Sequence, residues 1–338
     1  MSWLAAPLGL DFLGVTGFFG VEIFFFISGF CLFYGPAQGL SRFAYKRAIK
    51  IVPSYLLCLG VSLLLVRAGP RDIFTHLLFI HNWFPETYGS INGVLWSLAV
   101  EVQFYCLFPL ICFAFRRRPW LTYFAVSAAA LAYRLLALKF APERLEFFIN
   151  QLPGVLDLFL SGMLAAHLWV SIGRAPQRIS ERWSKTVSTL AAMLFAVAIL
   201  FLFHDCYRIR YETDGIQRWQ SQFRSLLGPA LLGLTVFSGL AFSAWKRLLA
   251  NPVLVFLSTI SYNLYLWHAL LAREVLKKIP WFATELPQSD LAWQLSLVAS
   301  AWTLSLLVAT AVTYGIERPL LKAGLGHFLR TFGKLYSR

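Results

Sequence analysis

The chain has 338 residues, of which 58% are hydrophobic and only 14% charged, with a formal net charge of +14. Soluble domains carry about 25% charged residues, and a water-exposed chain this apolar would present more hydrophobic surface than monomers tolerate. A soluble enzyme, a disordered regulator and a secreted disulfide scaffold are excluded, and the long apolar blocks predict an all-α, polytopic integral membrane helix bundle.

A spanning helix needs about 20 apolar residues. Nine stretches meet that need, near 18–35, 49–66, 92–115, 119–138, 149–170, 186–203, 225–244, 251–272 and 291–316. A further run, 73–84, is too short to span and reads as a re-entrant or interfacial segment. The blocks are continuous rather than alternating, which argues against strands. No repeat or low-complexity linker interrupts them, so residues 1–338 read as a single membrane domain with a cytoplasmic tail at 317–338.

The basic residues set the orientation. One set of alternate loops holds Arg42, Lys46, Arg47 and Lys50, then Arg116 to Arg118, Arg174, Arg178, Arg182 and Lys185, then Lys246 and Arg247, and finally the tail. The opposite loops hold fewer, Arg208, Arg210, Arg218 and Arg224 among them, and mix signs, with Glu143, Asp205, Glu212, Asp214 and Asp290. The C-terminus is expected inside. Nine spans then put residues 1–17 outside, an arrangement that suggests one more helix ahead of Met1. The same rule accounts for the positive charge without a nucleic-acid partner. The five cysteines show no CxxC or metal spacing, no metal site is expected, and no cleavable signal peptide is visible.

Ionisable residues inside spans are functional suspects by default. The segment from Asn92 to Tyr105 places Glu101 about nine residues below the outer face, roughly 14 Å at the helical rise. Ser97, Glu101 and Tyr105 recur every fourth residue and share one face. A second group, Ser261-Tyr262-Asn263-Leu264-Tyr265-Leu266-Trp267-His268, puts Ser261, Tyr265 and His268 on one face. A third, Gly20 to Phe30, carries Glu22 near the outer end, where a carboxylate can snorkel, and Ser28-Gly29, which lets another backbone approach. Arg47 and Lys50 follow in a basic inner loop that either obeys the orientation rule or holds the phosphates of an anionic donor. For Glu101 the alternative to a site is a structural clamp between helices, and for His268 it is ordinary packing.

There is no phosphate-binding loop, nucleophile elbow or dinucleotide fingerprint. Taken together, three segments resemble the acyltransferase-3 family of bacterial membrane proteins. Gly20 to Phe30 is similar to its G-V-D/E-I/L-F-F-x-I-S-G-F, Leu95 to Leu110 to its W-S-L-x-x-E-x-Q-F-Y-x-x-x-P, and Ser261 to His268 to its S-Y-x-L-Y-L-x-H. Arg47-x-x-Lys50 with Pro53, and Ile316-Glu317-Arg318-Pro319, extend the likeness to essentially the whole chain. The resemblance implies transfer of an acyl group, often acetyl, from cytoplasmic acyl-CoA to a hydroxyl of a cell-surface glycan, a lipid-linked sugar or a related acceptor. The protein would lie in the bacterial inner membrane with no bound cofactor. It also implies that Arg47 and Lys50 face the donor and that Glu22, Trp96, Ser97, Glu101, Tyr105, Tyr265 and His268 line or brace the site. Lys50 stands where the family has arginine, which keeps the charge and loses the bidentate fork.

The family opens with a helix bearing a basic residue and then a histidine that acts as base. No histidine precedes His76 here, so the expectation is a chain lacking that helix. Glu101 and His268 are then the candidates to carry chemistry. Two other classes compete with the enzyme: a catalytically inactive relative that binds without turnover, and a secondary transporter or glycan exporter, which midplane carboxylates would suit.

Overall fold

A computed structural model describes residues 16–35, 39–173, 181–279 and 291–323. Among them there are helices and turns and no strand. The chain order is α1 (Phe19–Tyr34), α2 (Leu40–Leu65), α3 (Pro70–Leu77), a 3₁₀ turn (His81–Trp83), α4 (Trp96–Arg117), α5 (Pro119–Phe140), α6 (Leu145–Ile149), α7 (Leu152–Gly173), α8 (Glu181–Arg208), α9 (Gly215–Leu240), α10 (Ser243–Leu249), α11 (Pro252–Leu270) and α12 (Leu291–Val312). π-helical turns extend α11 over Leu271–Val275 and α12 over Thr313–Glu317. Eight helices among the described residues are long and apolar enough to cross a membrane, and the chain is a multi-pass membrane helix bundle. The ninth expected span is α1, which at 16 residues is shorter than the others. The short segment near 73–84 resolves into α3 and the 3₁₀ turn.

Two boundaries differ from the sequence reading for one physical reason. Lysine and arginine are good helix formers, so an apolar helix continues into its basic flank. The run expected to be an inner loop, with Arg42, Lys46, Arg47 and Lys50, is the first half of α2. Likewise Arg218 and Arg224, expected in an outer loop, lie within α9. Pro53, Pro109 and Pro229 sit inside α2, α4 and α9, as spanning helices tolerate. The two ends of the chain, including the tail beyond 323 and residues 1–15 of the expected outer segment 1–17, fall outside the described residues, as do Arg174, Arg178 and Asp290.

The helices form two compact units. The first comprises Met1–Pro36 and Val100–Asn251, the second Ala37–Ala99 and Pro252–Arg338. In the first, α1 lies against α7 along a seam without side chains. A Cβ at Gly29 would come 2.0 Å from the Phe159 carbonyl oxygen, and one at Gly162 1.9 Å from that of Phe26. Small residues permit this backbone approach, and dispersion then holds the helices together in place of a hydrophobic drive that lipid does not supply. Phe159 stacks on Phe104 at 3.9 Å and meets Phe25 at 4.7 Å beside the seam. Leucines such as Leu194 and Leu200 on α8 and Leu110 on α4 point away from the interior, as lipid-facing positions do.

In the second unit a sharp reversal follows α3. Phe79 adopts φ 56°, uncommon for a residue with a Cβ, and its ring packs on Tyr55 at 4.3 Å. The reversal brings His81 back onto His76, their rings parallel within 4° and 3.9 Å apart.

Candidate active site and buried charges

Glu22 does not snorkel. Its carboxylate is buried in the first unit, where Oε1 accepts from Arg224 Nε at 2.7 Å and from Gln220 Nε2 at 2.9 Å. The same guanidinium donates to the Ile149 carbonyl at 2.6 Å and to Asn150 Oδ1 at 3.0 Å. A charge this deep stands only when paired and hydrogen-bonded, and α9 supplies both partners four residues apart. Sequence reading missed Arg224 because apolar periodicity alone started its helix too late.

A second buried pair lies between α5, α7 and α9. Arg134 forks onto Asp157, Nη1 to Oδ1 at 3.2 Å and Nη2 to Oδ2 at 2.9 Å, and donates to the Gly154 carbonyl at 2.6 Å. Ser225 closes the ring by accepting from Arg134 and donating to Asp157 Oδ2 at 2.8 Å. Asp157 was not among the candidates, although a lone arginine within a span was a signal that a carboxylate must stand near it.

Glu101 is buried on α4. Its Oε1 accepts from Ser28 Oγ at 2.7 Å and from the Tyr105 hydroxyl one turn along. The expected face of Ser97, Glu101 and Tyr105 therefore divides. Tyr105 bonds Glu101 within the first unit, whereas Ser97, in the second, pairs with α11. Ser97 Oγ lies 2.7 Å from the Tyr265 hydroxyl, and each also lies within hydrogen-bonding reach of the Val94 carbonyl, at 3.1 and 2.9 Å, so the two hydroxyl protons are shared among three contacts. Trp96 stacks on Tyr88 at 5.9 Å.

His268 sits one turn beyond Tyr265. Its Nδ1 is 2.7 Å from the Tyr265 carbonyl, and because a carbonyl only accepts, Nδ1 carries the proton and Nε2 keeps the lone pair. Ser261, the third member of that expected face, bonds the Ser258 carbonyl at 2.8 Å on an exposed surface. The buried side of the same motif is the one that binds other helices. Tyr262 donates to the Ile51 carbonyl at 2.8 Å, and Asn263 Nδ2 donates to Glu317 Oε2 at 2.7 Å and to Thr313 Oγ1 at 2.9 Å. Lys50 pairs with Glu317 Oε1, and the Arg47 guanidinium lies over the Phe43 ring, 5.8 Å from its centre.

His76 and His81 lie outside the spanning segments. Burial lowers the pKa of both, and His81 is pushed down to about 3, with His76 beside it adding to the effect. Nearby, hydrogen bonds from the Ser90 hydroxyl and the Gly69 N–H hold the Asp72 carboxyl below its ordinary value. Among the described residues no cluster of three or more histidine, cysteine or acidic side chains could hold a metal ion.

A family model described as an acyltransferase domain matches residues 2–318. The chain belongs to the acyltransferase-3 family. A protein of Staphylococcus aureus (strain COL) whose O-acetyltransferase name is provisional is 26% identical to this acyltransferase-3 chain over 286 residues, and a counterpart in strain N315 gives the same figures. O-acetyltransferase OatA of S. aureus (strain NCTC 8325 / PS 47) is 24% identical over 282 residues. Each match covers 75% of this chain and 45% of the relative, so the chain spans less than half the length of the curated relatives it matches. No solved structure matches it.

Proposed function

We propose that the chain is a membrane O-acyltransferase of the bacterial inner membrane, its C-terminus in the cytoplasm, moving an acetyl or related acyl group from acyl-CoA to a hydroxyl of a cell-surface glycan or similar acceptor. The observation that carries this reading is the acyltransferase-domain match over residues 2–318. The O-acetyltransferase names of the relatives support the group transferred.

The reaction needs a base to take the hydroxyl proton as its oxygen attacks the thioester carbonyl, and a donor to the oxyanion that forms. Collapse of that intermediate breaks the carbon–sulfur bond, and the thiolate leaves to take up a proton. In the second unit His268 fits the base, since its Nδ1 is committed to the Tyr265 carbonyl and Nε2 is left basic. The Tyr265 and Ser97 hydroxyls, 2.7 Å apart, would serve as oxyanion donors by turning their protons from the Val94 carbonyl, with Trp96 next to Ser97 in the chain. Arg47 and Lys50 face the phosphates of the donor. In the first unit Glu101, held by Ser28 and Tyr105, supplies an ionisable group within the bundle, and Glu22 braces the helices through Arg224.

Membranes containing the chain, given radiolabelled acetyl-CoA, should transfer label to a glycan fraction. His268→Gln should lower that transfer by about 100-fold, within the range of a lost general base. Absence of labelling by the unaltered chain would defeat the enzyme reading. Labelling unaffected by Glu101→Gln would remove Glu101 from the chemistry.

A further inference from the structure

Three motifs that are far apart in sequence meet in the second unit. The basic pair on α2 supplies Lys50, α11 supplies Tyr262 and Asn263, and the end of the last span supplies Thr313 and Glu317. Glu317 closes the π-helical turn Thr313–Glu317 and is buried. Its Oε2 is held at 2.7 Å by Asn263 Nδ2, which also reaches Thr313 Oγ1 at 2.9 Å. The carboxylate is thus fixed from the α11 side, and such π turns are frequent at functional sites. Lys50 is placed differently. Its side chain retains 38% exposure while its ammonium pairs with Glu317 Oε1 and lies 5.6 Å from the centre of the Tyr262 ring. In this pair the carboxylate is fixed and buried, and the cation is the partly exposed member.

We infer that Glu317 is a positioning residue that restrains the grip of Lys50 on the anionic donor, an inference that rests on the reading that Lys50 faces acyl-CoA. An anion approaching Lys50 also meets the carboxylate beside it, so this pair by itself offers a phosphate a net charge close to zero and leaves the attraction to Arg47. Acyl-CoA and the CoA that leaves carry the same phosphates. A strong phosphate grip binds substrate and product alike, adds nothing to the chemical step and delays release. Glu317 keeps that grip weak enough for turnover while Asn263 keeps Glu317 in place.

The test is CoA binding by calorimetry to the purified full chain in lipid nanodiscs, comparing Glu317→Gln, Glu317→Asp, Lys50→Met and the Glu317→Gln/Lys50→Met double variant, alongside acetyl-CoA kinetics. Glutamine keeps an oxygen for Asn263 and removes only the charge. The Glu317→Gln chain should bind CoA about fivefold more tightly, the scale of a half-exposed ion pair, with KM and kcat falling together, and Lys50→Met should abolish the gain. Aspartate, with its carboxylate drawn back from Lys50, should give a smaller tightening, so the inference stays testable if the glutamine variant folds poorly. If Lys50→Met weakens CoA binding but neither Glu317 variant tightens it, the inference is overturned and the donor reading stands. If Lys50→Met leaves CoA binding unchanged, the donor reading fails and the inference with it.

Discussion

The two units handle charge in opposite ways. In the first, both members of two ion pairs among the described residues are dry, with side-chain exposures of 0% and 5% for Arg134 and Asp157 and 1% and 4% for Arg224 and Glu22. In the second, Glu317 is buried but its partner Lys50 is 38% exposed. Losing one member of a pair with both charges dry strands the other charge in the interior, so such a pair fixes helices to one another. A pair with one partly exposed member can exchange that member's partner at little cost. Buried ion pairs in one chain therefore carry different meanings, and exposure of the cation separates them.

Removing one member of a dry pair should have the largest effect. Arg134→Met should leave Asp157 as an uncompensated buried charge and cost about 3–5 kcal/mol, read as a lower midpoint in a detergent-based thermal shift assay. The Arg134→Met/Asp157→Leu double variant should recover most of that loss, because no charge is stranded. A double variant as unstable as the single would mean that Ser225 and the Gly154 carbonyl, rather than the pair, hold the site.

Acid should act next in size, and locally. His76 and His81 bind protons more readily in the unfolded chain than in the folded one, so the stability they confer is present above pH 6.5, their ordinary value, and is lost as pH falls below it, in the case of His81 down to about 3. Asp72 works in the same direction at lower pH, since its depressed pKa withdraws support as pH falls below 3.8. Protection factors for amide exchange across residues 70–95, taken relative to the intrinsic exchange rate at each pH, should fall between pH 7 and pH 5, and His81→Phe should flatten that dependence. The smallest effect belongs to the half-exposed pair. Glu317→Gln should cost about 1 kcal/mol, because the partly exposed Lys50 can turn away from the interior, and a loss as large as that of Arg134→Met would erase the distinction between the units.

The spans were legible because lipid demands continuous apolar runs, and Glu101 and His268 stood out as polar residues within them. The partners were not. Glu22 and Arg224 are 202 residues apart, and only the packing of α1 against α9 joins them. Asn263 looked like filler between Tyr262 and Leu264 because the one-face reading favoured Ser261, Tyr265 and His268, whereas the buried side holds Tyr262 and Asn263. His76 and His81, five residues apart, share no helical face, and the positive φ at Phe79 that stacks them leaves no trace in composition.

The seam between α1 and α7 has a consequence for how this sequence can change over time. A leucine facing lipid, such as Leu110 or Leu194, can become isoleucine, phenylalanine or valine with little penalty, since an apolar side chain is all the bilayer requires there. Positions 29 and 162 have no such latitude. A carbonyl oxygen already occupies the space where their Cβ atoms would lie, and even alanine would force the two helices apart. Sequence drift in this chain is free on its outer surface and closed at these two glycines.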